Sequence, residues 1–175
     1  MASINNFLGV SSFELGAPGD GVMGDTLTNF PDVEVGSVNI EGATQNQETI
    51  STEANDSYIT VNGDPTPGSV SARLYGVTPA QMVVLAGGEV DGTSGLWNAP
   101  KTAPDIYLSF RMKGKAINNK RGVLQMAYAK ISARLQGTVT KNGLPAVDIT
   151  ITANTPVSAL LVEGPPYSYG TEDVA

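Results

Sequence analysis

Apolar and polar residues alternate with a period of two along much of this chain, and in one place the period gives way to that of a helix. In DIYLSFRMKGK, Ile106, Leu108, Phe110 and Met112 fall on one face and Tyr107, Ser109, Arg111 and Lys113 on the other, which predicts a half-buried strand. GVLQMAYAKISARLQGTVT continues the pattern, with Val123, Gln125, Ala127, Ala129, Ile131, Ala133 and Leu135 on one parity and Leu124, Met126, Tyr128, Lys130, Ser132, Arg134 and Gln136 on the other. Its Ala, Gln, Leu and Met also suit a helix. KNGLP closes it as a turn, however, and AVDITITAN answers it as a strand, so it reads as a strand. Upstream, PDVEVGSVNIEGA alternates at Val33, Val35, Val38 and Ile40, with Gly36 as a bulge where the phase slips. Shorter strand patterns cover 45–52 and 57–62, and NGDPTPG is a turn before SVSARLYGV resumes strand composition.

The exception is TPAQMVVLAGG. Thr78 stands where an N-cap belongs, Pro79 takes the first helical position, where its missing N–H costs nothing, and Gly87-Gly88 ends the helix. The residues between, with Met82, Val83, Val84 and Leu85 at their centre, are almost all apolar, so a helix over 79–86 is expected to be buried on most of its circumference against a sheet. The resulting fold class is all-β dominated: a β-sandwich or barrel-like domain over 31–157 with one short helix packed on the sheet. Residues 1–30 show no sustained period and read as an arm or long loop. PVSALLVEGPPYSYGTEDVA begins as a possible edge strand and ends as a Pro/Gly-rich acidic tail, with 158–175 as the C-terminal tail.

Composition narrows the chemistry. The chain has 175 residues and no cysteine or histidine, which removes disulfides, thiolate nucleophiles, Cys/His zinc sites and the imidazole base. No catalytic, cofactor-binding or metal-ligating residues stand out, and no enzyme is expected. GDGVMGD, with Asp20 and Asp25, lacks the ligand spacing of a calcium loop and reads as a flexible acidic loop. No P-loop or G-x-S-x-G motif occurs. The start has no signal-peptide layout and no stretch suits a membrane span, so the protein is expected to be made in the cytoplasm and to work without a membrane.

Charge is unevenly distributed. Residues 1–72 carry ten acids and no Lys or Arg, 73–141 hold all ten bases against three acids, and 142–175 add four acids, which together give the net of −7. The two signs either pair within one subunit or meet between subunits, where complementarity sets register. On the second reading Lys113, Lys115, Lys120 and Arg121, the densest basic run, are the candidate inter-subunit charges. Trp97, the single tryptophan, sits in a Gly/Pro-punctuated loop and reads as a packing anchor.

One order of elements is recognisable over residues 58–157. A strand leads into LYGVTPAQMVVLAGG, then a loop with LWNAP, a basic strand, and QMAYAKISARLQGTVTKNGLPAVDITITANTP. This order resembles the major tail tube proteins of long-tailed bacteriophages. The resemblance implies a structural protein of the virion tail. Six copies would form a ring, rings would stack into a hollow tube, and inner strands would join into a continuous barrel through which genomic DNA passes without specific binding. It implies self-contacts within and between rings, other tail proteins as partners, and a helix covering the outward side of a sheet whose other side lines the bore. A net negative wall would suit transit, because it does not hold the phosphate backbone. Two alternatives share the composition: another virion structural protein, such as a head-decoration or tail-terminator subunit, and an Ig-like carbohydrate-binding module using Trp97, Tyr107 and Tyr128.

Overall fold

The computed structural model describes residues 8–30, 32–137 and 145–174, so most of the KNGLP turn lies outside the described residues. Along the chain run β1 (Ser12–Gly16), β2 (Thr28–Asn29), β3 (Asn39–Glu41), β4 (Thr44–Thr52), β5 (Asn55–Thr66), β6 (Ser69–Leu74) and the helix α1 (Pro79–Ala86). They are followed by β7 (Glu89–Val90), β8 (Trp97–Asn98), β9 (Ile106–Lys113), β10 (Lys120–Gln136), β11 (Ala146–Asn154) and β12 (Ser168–Asp173). Eight strands form one antiparallel sheet in the order β2-β1-β9-β10-β11-β6-β3, with β12 added to β10, while β4–β5 and β7–β8 are separate hairpins. The protein is all-β with one short helix, in the manner of a β-sandwich.

The alternation of the sequence maps onto one core. Phe13 and Leu15 of β1, Val70, Ala72 and Leu74 of β6, Leu108, Phe110 and Met112 of β9, and Val147, Ile149 and Ile151 of β11 join a single buried cluster with Met82 and Leu85 of the helix. Each of these side chains except the small Ala72 contributes about 1.5–3 kcal/mol on burial. Phe13 and Phe110 meet at 4.9 Å with their rings tilted by 59°. Ser109, on the expected polar face of β9, is also fully buried. Its hydroxyl donates to the Ala127 carbonyl at 2.7 Å and accepts from the Gly24 N–H at 2.9 Å, so its burial is compensated.

β10 is a strand, but neither parity stays inside. Leu124 and Met126 are buried in its first half, Ala129 and Ile131 in its second, and the register against β9 shifts between Met126 and Ala129. A bulge there exchanges the two faces, which a strict period of two over nineteen residues does not anticipate.

The helix has the expected ends. The Gln81 N–H donates to Thr78 Oγ1, the Thr78 N–H donates to Gln81 Oε1 at 2.8 Å, and the Trp97 indole N–H donates to the Gly87 carbonyl at 2.8 Å. Its burial is narrower than expected: Met82 and Leu85 are buried and Val83 is partly covered, whereas Val84 is 46% exposed and Ala80 is exposed. Eight residues make little more than two turns, and only one flank reaches the sheet.

Three boundaries also differ from expectation. Within 1–30, β1 lies between β2 and β9 and, with Phe30, supplies core residues, so the described part of this segment is not an arm. Gly36 occupies a turn closed by the Ser37 N–H on the Glu34 carbonyl, with φ of 78°, and is not a strand bulge. The NGDPTPG segment is mostly strand, because β5 extends to Thr66.

Candidate assembly surface

Three of the four candidate inter-subunit cations are paired within the subunit. β12 lies antiparallel to β10 with Arg121 opposite Glu172 and Lys120 opposite Asp173. Lys113 Nζ reaches Glu172 at 2.9 Å, Arg121 binds the same carboxylate oxygen, and Lys120 lies 3.6 Å from Asp173. The expected acidic tail is thus the reverse of its reading: its end is a strand, fixed by the charges assigned to a neighbour. Lys113 first, with Arg121, holds the Glu172 carboxyl below the usual carboxylate range, against the opposing effect of its partial burial. Lys115 is the exception, exposed and without an ion-pair partner among the described residues.

Further pairs follow the same internal rule. Arg111 binds Glu14 across β9 and β1, Lys130 meets Asp105 at 2.7 Å, and Arg73 meets Asp148 at 2.7 Å, with Glu34 and Arg134 on the rim. Arg73 chiefly lowers the Asp148 pKa, and the Glu34 carboxylate raises that of Tyr75 by accepting a hydrogen bond from its hydroxyl at 2.9 Å.

Three uncovered features carry apolar residues. β4 and β5 form a hairpin in which every residue but Gly63 is exposed and none belongs to the core. Its register sets Ile50 opposite Ile59 and Glu48 opposite Val61, which places Ile50, Ile59 and Val61 on one face, while Thr49 opposite Thr60 belongs to the other. Those three aliphatic residues are 37–49% exposed. The hairpin holds Glu48, Glu53, Asp56 and Asp64 and no base.

The second uncovered feature is the connection from β11 to β12, which begins as a tight loop and not as an edge strand. The Leu161 N–H donates to the Ser158 carbonyl, the Ser158 N–H to the Val162 carbonyl and the Gly164 N–H to the Pro156 carbonyl. Asp20 accepts from the Ala159 N–H at 2.7 Å, so this acid of GDGVMGD anchors a loop, and no cluster of possible metal ligands occurs among the described residues. Leu160, Leu161 and Val162 project from this frame, 86%, 84% and 64% exposed. Three consecutive aliphatic residues before GPP were the available signal for it in the sequence.

The third feature is a cavity of about 360 Å³ lined by Val10, Phe13, Val33, Val38, Ile40 and Met112, with Val35, Glu34 and Lys115 also on its wall. Trp97, by contrast, is committed to the helix end and packs on the core, and Tyr107 and Tyr128 stack on each other at 4.8 Å.

Compared with models of known protein families and with curated proteins, the chain matches none.

Proposed function

We propose that the protein is a structural, non-enzymatic subunit of a phage tail tube, forming stacked six-membered rings whose lumen conducts DNA. The observation that carries this reading is the β4–β5 hairpin, a 23-residue projection without a core of its own. A two-stranded ribbon is marginal in water, and an exposed aliphatic face on it calls for a protein partner. A subunit that must bridge to the next copy along a tube has use for such a projection. The order of elements read from the sequence resembles that family, and the hairpin carries four acids and no base, which suits a conduit that does not hold DNA.

Electron microscopy of the concentrated, negatively stained protein tests the reading. Long hollow cylinders with ring-shaped end views are expected. Discrete particles that never stack would instead favour a decoration or terminator subunit.

A further inference from the structure

We infer that the Leu160–Val162 tip of one subunit seats in the Val33–Ile40 cavity of a second copy, with Glu163 meeting Lys115 at its rim. The inference rests on the self-assembly reading above and names the segments that join.

The tip is a built feature. Its backbone is closed by hydrogen bonds from Leu161, Ser158 and Gly164 and tied to Asp20, so its three aliphatic side chains face water from a fixed frame. Leu161 also holds φ at 58°, in the left-handed region where Gly and Asn are favoured and a large aliphatic residue is uncommon. The Leu161 N–H closes the turn, but its side chain, 84% exposed, is hardly covered by the described residues. Gly21, at φ of 68°, lies so close beneath the loop that a Cβ there would come within 2.9 Å of Ser158, which keeps the loop seated where it is.

The cavity complements it. Its volume is more than twice the roughly 150 Å³ of an apolar cavity that accepts benzene, and its wall is mainly aliphatic and aromatic. The charges agree in sign. Glu163 adjoins the tip and is exposed, and among the described residues neither it nor Lys115, on the cavity wall, has an ion-pair partner. Tip and cavity are different patches of one chain, so the joint is head-to-tail, the type of contact that closes into rings.

The absence of cysteine makes the test direct. Two single variants, Leu161→Cys and Val35→Cys, are given tags of different mass, mixed at assembling concentration and treated with a short bismaleimide; Val35 is fully exposed at the rim, so its replacement leaves the core intact. The mixed dimer is expected to dominate over both homodimers. Tubes without the mixed dimer would overturn the inference and leave the tube reading standing, whereas mixed dimers in particles that never stack would do the reverse. Cross-linking of Val35→Cys to Ile59→Cys in its place would assign the cavity to the hairpin and also overturn it. Leu161→Asn supplies a second readout. It suits the left-handed backbone, so the isolated subunit should melt no lower than the parent, while the concentration needed for assembly should rise roughly tenfold or more. Unchanged assembly of this variant would overturn the inference.

Discussion

Met82 and Val84 stand two residues apart on one helix, and their fates in the fold are opposite. Met82 is 5% exposed against the core, whereas Val84 is 46% exposed. Met82→Asp leaves an uncompensated charge inside and should cost about 3–5 kcal/mol in chemical denaturation; Val84→Asp should stay within about 1 kcal/mol of the parent. Equal losses at the two positions would mean that the helix is enclosed all round. Gly88 is a sharper test of backbone. Its φ is 85°, and a Cβ there would lie 2.1 Å from the Asn98 carbonyl oxygen, so Gly88→Ala should cost about 2 kcal/mol or more and detach the β7–β8 turn. At this scale the sequence was legible wherever a residue acts on its near neighbours. Thr78, Pro79 and Gly87 mark the helix because capping is local, but which of four consecutive apolar residues face the core depends on strands dozens of residues away.

At the scale of elements, β12 is held to β10 by its backbone ladder and by the carboxylates of Glu172 and Asp173. A carboxyl held below its ordinary pKa stabilises the fold above about pH 4.3, and that contribution is lost as the pH falls through the lowered folded value. Protection of the β12 amides, taken relative to the intrinsic exchange rate at each pH, should therefore fall as the pH drops below about 4.3, ahead of that of β11, and Glu172→Gln should remove most of this dependence. Each pair is worth no more than about 1 kcal/mol at this exposure. Reversing Lys120 and Arg121 together to Glu should likewise loosen β12 in the free subunit, and converting Glu172 and Asp173 to Lys in that background should restore it. If the double reversal slows assembly while β12 exchange stays unchanged, these charges act between subunits after all. The strands β9 and β11 were readable because the apolar positions of each alternate over eight or nine residues with no extra residue inserted in the strand itself. β10 was readable as a strand but not as two half-strands of opposite phase, since a bulge leaves no residue type as its mark. β1 was missed because only Phe13 and Leu15 alternate in it, too short a run to stand out among Gly, Ser and Asp.

For the whole molecule, the all-β class and the single helix follow from composition and period, whereas the uncovered surface does not. Hydrophobic patterning reports which residues avoid water, and in a monomer's sequence a residue that does so against its own core looks the same as one that does so against a neighbour. Ile50, Ile59 and Val61 read as ordinary strand residues, yet they lie on a projection outside the core. Replacing Thr44–Thr66 by a short Gly-containing turn should leave the melting temperature within a few degrees, consistent with a segment that adds little to stability, while tube formation disappears from electron micrographs. Collapse of the fold in that deletion would place the hairpin in the core's service.

The same independence bears on how such a chain changes over generations. A segment that adds no residue to the described core is screened mainly through what it meets, so its length and side chains can drift without a compensating change in that core. Inheritance of the fold and inheritance of partner choice are thereby separated within one chain: a hairpin exchanged between related subunits would carry its compatibility with it, and the recipient would still fold.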